Sequence, residues 1–352
     1  MFTLRFIKAL FKLVTEFYFN CYKIREKSRC QILGAGYWVL GSVYSCLSFT
    51  YFCFVEAKAT KRVYIYIAAL LAMAFWGMSF VWTSIVFEYY PPITTIFLRL
   101  VISSIFLFII LSFTGFLKRI RKEHMLLFLT SAIFNPFFYF LGENYGLKYS
   151  TASISAVVIT TIPVLTPFAA WFMIREKISM LNIAGIMISF TGILVMLINP
   201  DFSFTTDPKG VLMLFGAVLS AVIYSILLKK LMAFYSPVNL IAWQNLLGAV
   251  LFLPLFLLLD LDEFVHVVPD RRLLFALCSL AILASSLSYI LFATTIKQLG
   301  VNRANVYSNL IPVITAIASY FILDEMFSGK KIAGIIIVIF GVIITQINKT
   351  KR

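Results

Sequence analysis

Two ionisable side chains stand in stretches that are otherwise apolar, and their chemistry would matter there. Arg99 lies about six residues into an apolar run that begins near residue 93, or roughly 9 Å along a helix rising 1.5 Å per residue. A guanidinium at that depth either binds something or reaches back to the surface along its own aliphatic stem. Glu143, in Gly142-Glu143-Asn144-Tyr145-Gly146, closes another apolar run and is placed to reach a similar depth. If the two meet, they form an ion pair for which a zwitterionic or protonated molecule competes; the alternative is a solvated loop carboxylate.

Further polar and aromatic residues fall inside apolar runs: Ser79, Trp82, Asn135, Tyr139, Thr160, Tyr224, Gln244, Asn245, Tyr289, Asn305 and Asn309. Singly, each reads as a helix-to-helix hydrogen bond or a packing residue; together they make a polar interior able to bind a small molecule. Pro163, Pro167 and Pro312 interrupt apolar runs and free carbonyls that lipid cannot satisfy. Such carbonyls belong at a hinge or a wet cavity, or else at a static kink. His124 and His266 sit in or beside charged segments. HExxH, a Walker loop and paired intramembrane Asp are all absent from the sequence, so no metal, cofactor, ATP-driven step or enzymatic chemistry is expected.

The elements that must position these residues follow from composition. Of 352 residues, 61% are apolar and 13% charged, with 36 Phe, against about 45–50% apolar and 25% charged in an ordinary soluble domain. A soluble core of this length cannot bury so much apolar surface, so the chain is an all-α polytopic membrane protein. Ten apolar runs of spanning length are expected, near 63–86, 93–113, 125–146, 152–173, 181–199, 210–229, 238–259, 272–294, 304–323 and 331–347.

The net charge of +15 would suggest nucleic acid in a soluble protein, but the basic residues lie between apolar runs. Their distribution reads as an orientation signal, and no nucleic acid partner is expected. With Lys61 and Arg62 cytoplasmic, that side collects fifteen basic residues and the opposite side six. Both ends of the ten-span body, including the basic tail 348–352, are therefore expected in the cytoplasm of a cell (inner or plasma) membrane. Residues 1–60 stand apart: an eleventh span at 31–55, an interfacial amphipathic segment and translated upstream sequence all fit, whereas a cleaved signal peptide does not.

Shifting the chain by 149 residues superimposes Ile162-Pro163-Val164 on Ile311-Pro312-Val313 and Ile183-Ala184-Gly185-Ile186 on Ile332-Ala333-Gly334-Ile335. Fifteen of the 36 positions from 157 to 192 are identical, and aligned Pro, Glu and Gly punctuation marks a duplicated unit. The unit holds five spans. An odd number forces the second copy to enter the membrane from the other side. The charges agree: Lys118-Arg119-Ile120-Arg121-Lys122 follows the second span, while Leu259-Asp260-Leu261-Asp262-Glu263 follows the seventh. The expected halves are 63–199 and 210–347, inverted about an axis in the membrane plane. Such halves favour transport by alternating access over a passive channel or a membrane-embedded sensor or enzyme.

The chain resembles EamA-type members of the drug/metabolite transporter superfamily. The similarity is carried by Phe75-Trp76-Gly77-Met78-Ser79-Phe80 in the first span and Phe97-Leu98-Arg99 in the second. It continues through Ala152-Ser153, Pro163, Arg175-Glu176-Lys177, Gly185 and Gly192, with Pro312, Glu325, Gly334 and Gly341 in the second copy. The resemblance implies ten helices in two five-helix repeats and a permease that exports or exchanges small organic metabolites. Known cargoes of the family range from amino acids through nucleobase-like compounds to toxic cations. In that reading the partners are a small-molecule substrate, the lipid bilayer and a coupling ion such as a proton, with a homodimer as one assembly. Glu176 and Glu325 read as helix caps or loop anchors, and Gly185 and Gly334 as points of close helix contact. One departure stands out: aligning Pro92 with Pro237 puts Gln244 opposite Arg99, so only the first repeat keeps the charge.

Overall fold

The computed structural model describes residues 43–347 apart from 116, 167–178, 199–202, 300–303, 305 and 306, with side chains described from residue 64 and not at 229, 297 or 345–347. Of the N-terminal unit Met1–Thr60, the described residues 43–60 are helical; residues 31–42 of the segment 31–55, and the tail 348–352, lie outside the described residues. From Lys61 onward the described residues form seven helices long and apolar enough to cross a membrane: α1 (Tyr64–Val86), α2 (Pro92–Thr114), α3 (Lys122–Lys148), α5 (Met180–Leu197), α6 (Pro208–Leu228), α7 (Pro237–His266) and α8 (Arg271–Ile296). Between and after them come two shorter apolar helices, α4 (Ala152–Thr166) and α9 (Tyr307–Ile322), and the 19-residue α10 (Gly329–Ile347).

Turn and charge residues between the apolar runs act as caps. Ser236 and Asp207 sit at N-cap positions ahead of Pro237 and Pro208, whose missing N–H costs nothing in a first helical turn. Ser179 and Asn182 form a reciprocal capping box at the start of α5. Asp270 accepts the Leu273 N–H at 2.7 Å and starts α8. Gly115 ends α2 with φ 67°, a left-handed geometry that glycine adopts without a Cβ penalty. The N-cap of α2 is Pro91, which has no side-chain oxygen to offer. Asp260, from the end of α7, substitutes for it by accepting the backbone N–H and the hydroxyl of Thr94, both at 2.9 Å. Asp260 is buried, although the sequence places it at the start of a loop.

Helices α5 and α10 pack in opposite directions, glycine against glycine. A Cβ on Gly192 would lie 2.9 Å from the Gly334 carbonyl oxygen, and one on Gly341 would lie 2.8 Å from that of Gly185. Under the sequence repeat, Gly185 corresponds to Gly334 and Gly192 to Gly341, so each glycine faces the equivalent of its neighbour one turn-pair away. Midway between them Ser189 Oγ donates to the Val338 carbonyl, and these two residues are themselves 149 positions apart. A position touching its own repeat equivalent marks a local two-fold axis. Helices α2 and α7 show the same antiparallel relation. Thr94 at the start of α2 meets Asp260 at the end of α7, and Asn239 at the start of α7 accepts the backbone N–H of Lys118, just past the end of α2.

The interruptions fall partly where expected and partly elsewhere. Thr160 and Thr161 form a turn between Ile159 and Ile162, so Pro163 opens a new helical segment. Their hydroxyls donate to the Ala156 and Val158 carbonyls, both at 2.6 Å, and their backbone N–H groups bond to the same two carbonyls at 3.0 Å. Pro312 follows the 3-10 turn Tyr307–Asn309 and lies in the first turn of the α-helical part Leu310–Ile322. Pro167 lies outside the described residues. The largest backbone departure is in α3, where Asn135 is extended (φ −143°, ψ 117°) beside Pro136, inside the π-helical stretch Ile133–Phe138. Further π-helical stretches are Phe256–Asp260 in α7 and Leu280–Leu287, which occupies the corresponding part of α8.

Candidate functional site

Arg99 is buried, with 3% of its surface exposed. Snorkelling is thereby excluded, and protein must supply its partners. Helix α3 brings Glu143 Oε2 to 3.7 Å from Nη1, and the Phe140 ring covers the guanidinium at 4.1 Å. Glu143 is also buried and accepts a hydrogen bond at 2.9 Å from Tyr139, one turn back on the same helix. On the other side, Arg99 Nε donates at 2.9 Å to Ser285 Oγ of α8. The Arg99 site therefore joins residues from both repeats.

A hydroxyl and amide network extends from it. Asn245 donates to Ser103 Oγ at 2.6 Å and to the Ser285 carbonyl at 3.1 Å. Ser103 lies one turn along α2 from Arg99 and shares a 2.6 Å hydrogen bond with Ser286. Consecutive serines of the π-helical part of α8 thus hold two successive turns of α2. Ser103, Ser285 and Ser286 were not singled out from sequence; a polar Ser-Ser pair in the middle of an apolar run was the available signal. Asn135, at the break in α3, lies beside Tyr289, whose ring meets Trp76 edge-on at 5.1 Å. Gln244, the counterpart of Arg99, sits in a neutral version of the site: it accepts from Tyr224 at 2.9 Å and donates to Ser131 at 2.6 Å.

Other sequence candidates take structural positions. Ser79 donates to the Trp76 carbonyl of its own helix at 2.6 Å. Trp82 packs in an apolar cluster with Val81, Ile85, Tyr90, Leu273 and Leu277. Gly77 receives the Thr315 hydroxyl on its carbonyl at 2.8 Å, which its missing side chain permits. Asn309 is buried beside the start of α9. Asn305 and Glu176 lie outside the described residues.

Loops assigned to one side by the charge count meet one another. Arg272 makes a two-pronged ion pair with Glu88 at 2.8 and 3.0 Å, and Tyr89 donates to Asp270 at 2.8 Å. A cavity of about 200 Å³ beside them is lined in part by Glu88, Tyr90, Lys148 and Glu263. At the other end Tyr235 hydrogen-bonds His124 at 3.0 Å and accepts from the Arg121 N–H, and Trp243 donates to the Lys118 carbonyl.

Glu325 anchors a loop, as its place after the ninth run suggests. It accepts from the Ser153 hydroxyl at 2.9 Å and the Ser153 N–H at 3.4 Å, and it pairs with Lys331. Burial raises its pKa, but hydrogen bonds from Lys331 and Thr151 outweigh that effect and hold the carboxyl below its ordinary value. A lowered folded-state pKa contributes stability that is complete above the unfolded value near 4.3 and is lost as pH falls through the folded value. Glu325→Ala is expected to cost roughly 1–3 kcal/mol at pH 7 by removing the acceptor that Lys331 shares with the start of α4, with the gap from wild type closing only in strong acid. Thermal unfolding in detergent checks this, and equal midpoints at pH 7 would remove the anchoring role.

A family model, that of the EamA-like transporter family, matches residues 63–198 and again 208–347. The chain belongs to the EamA-like transporter family. This EamA-like chain is 25% identical over 294 residues to the uncharacterized transporter YetK of Bacillus subtilis (strain 168), covering 82% of itself and 88% of that protein. An uncharacterized transporter of Archaeoglobus fulgidus is likewise 25% identical, with 79% and 97% covered. A probable amino-acid metabolite efflux pump of Salmonella typhimurium is 24% identical, with 81% and 96% covered. A crystal structure sharing 16% identity superimposes with a TM-score of 0.61 over 80% of this chain and 98% of the other, which shows a common fold. The EamA-like chain is an integral membrane transporter.

Proposed function

We propose that this transporter is a carrier in which two inverted five-helix repeats alternately open one central site, exporting or exchanging small organic metabolites that carry a carboxylate or an amine. The carrying observation is the buried pair of Arg99 and Glu143, 3.7 Å apart, gripped by residues of both repeats. An isolated charge inside a membrane is costly and is kept where it handles a polar cargo or ion. The 3.7 Å separation leaves the pair electrostatically joined but without a direct hydrogen bond, so a cargo carboxylate can take Arg99 while its amine takes Glu143. The resemblance to an amino-acid metabolite efflux pump supports amino-acid-like cargo.

The ten-span reading rests on the seven long helices together with α4, α9 and α10. The antiparallel fit of α5 on α10 and of α2 on α7 supports inversion. With the basic loops cytoplasmic, the Glu88–Arg272 end is external in a cell membrane, and both ends of the helical body are inside. Such a carrier performs no chemical step of its own.

The test is counterflow in proteoliposomes holding the purified full chain and a labelled mixture of the proteinogenic amino acids. A carrier gives saturable accumulation driven by unlabelled mixture on the opposite side, whereas an open pore only equilibrates. Glu143→Gln removes the carboxylate that would hold a cargo amine, and it is expected to lower exchange and to flatten the pH dependence of the uptake that remains. A pH profile identical to wild type would exclude Glu143 from proton coupling.

A further inference from the structure

The geometry points to Ser285 as a positioning residue that makes Arg99 selective for carboxylates, an inference that rests on the central-site reading above. A guanidinium offers two edges for two-pronged bonding: a side edge containing Nε, and an end edge made of the two Nη groups. Ser285 occupies the side edge by accepting from Nε at 2.9 Å. Its own hydroxyl hydrogen is committed to the Leu280 carbonyl at 3.0 Å, a bond across five residues of the π-helical stretch. The Ser285 oxygen therefore meets Arg99 purely as an acceptor and fixes the plane of the guanidinium.

The remaining surroundings leave the end edge as the reading surface. Phe140 covers a face at 4.1 Å. Glu143 stands 3.7 Å from Nη1, beyond hydrogen-bond range, and among the described residues neither Nη group makes a direct hydrogen bond. Two parallel N–H donors on a fixed planar edge match two coplanar oxygens of a carboxylate. A neutral carboxamide offers one acceptor and presents its own donors to the second N–H. Asn245 holds the Ser285 backbone in place through its carbonyl at 3.1 Å, so the second repeat orients the charge that only the first repeat carries.

The experiment measures counterflow kinetics of wild type, Ser285→Ala, Ser285→Thr and Arg99→Ala. The probes are the labelled proteinogenic amino acids, competed either by the same acids or by their carboxamides. Wild type is expected to prefer acids over amides by roughly tenfold or more, the scale of a hydrogen bond to a charged group. Ser285→Ala should raise KM for the acids about tenfold, leave the maximal rate within about twofold and bring the acid-to-amide preference toward one. Ser285→Thr, which keeps the hydroxyl, should restore both. If Ser285→Ala yields no monodisperse protein, Ser285→Cys serves the same comparison, because a thiol is a weak acceptor, and the same loss is expected.

Wild-type KM and preference in the Ser285 variants, beside loss of preference in Arg99→Ala, would overturn the role of Ser285 and leave the central site standing. A fall in maximal rate with unchanged KM and preference would likewise reduce Ser285 to packing. Full transport and preference in Arg99→Ala, or no movement of any probe by wild type, would overturn the central-site reading and this inference with it.

Discussion

Arg99→Ala is expected to lower counterflow at least about a hundredfold. Removing one partner of a buried ion pair strands the other charge, at roughly 3–5 kcal/mol, equivalent to about two to four orders of magnitude in an equilibrium. Here the loss falls on Glu143, which would keep only Tyr139 as a hydrogen-bond donor. The same penalty threatens folding, so Arg99→Ala alone does not separate a damaged site from a damaged protein. The double variant Arg99→Ala with Glu143→Ala removes both charges. It should recover thermal stability in detergent while remaining inactive. Arg99→Lys should also fall well below wild type despite keeping its charge, because an ammonium has neither the Nε donor that reaches Ser285 nor a planar edge. A double variant that transports normally would refute a cargo role for the pair.

Gly334→Leu is expected to prevent assembly, with little monodisperse protein recovered. A Cβ at Gly334 would sit 2.9 Å from the Gly192 carbonyl oxygen, and at Gly192 one would sit 2.8 Å from the Val338 nitrogen. These neighbours are backbone and cannot rotate aside. Overfilling a packed interior costs typically 1–3 kcal/mol even where side chains can adjust; here α5 and α10 must separate along their seam, so the loss should exceed that range. Gly216 on α6 provides the control, since a Cβ there meets nothing within 4 Å and Gly216→Leu should assemble normally. Fluorescence-detected size-exclusion profiles of the two variants make the comparison. Equal recovery would mean that the glycine seam does not hold the two helices together. Should Gly334→Leu assemble with altered cargo choice, the residue would belong to the site rather than to packing.

Glycines of this kind were legible because duplication placed them in register: Gly185 and Gly192 align with Gly334 and Gly341 at one offset. The direction of their packing was not legible in the residues themselves; it came from the odd number of spans and the sign of the loops. For Arg99 and Glu143 the sequence left two readings open, an ion pair or a solvated loop carboxylate, and only the burial of both side chains 3.7 Å apart separates them. The break at Asn135 has a weaker sequence signal than Pro163 and Pro312, because Pro136 has no aligned proline in α8, where Leu280–Leu287 is also π-helical. Trp82 was grouped with the polar interior, yet the structure packs it among Leu273, Leu277 and Ile85. Which way a side chain faces in an apolar helix cannot be read from hydrophobic periodicity when every face of that helix is apolar.

From its sequence alone this protein was determined to be helical, membrane-embedded and built from a copied unit, because those properties depend on local composition, run length and repeat offset. The same local chemistry set four of the helix starts, through Ser179, Asp207, Ser236 and Asp270. Tertiary structure alone decided that Arg99 meets Ser285 as well as Glu143, that Asp260 caps α2, and that Gln244 turns to Tyr224 and Ser131. Arg99 and Ser285 are 186 positions apart. Partners that distant are chosen by how helices cross and which hydrogen-bonding groups must be satisfied away from water, and neither is encoded in the spacing of residues along one helix.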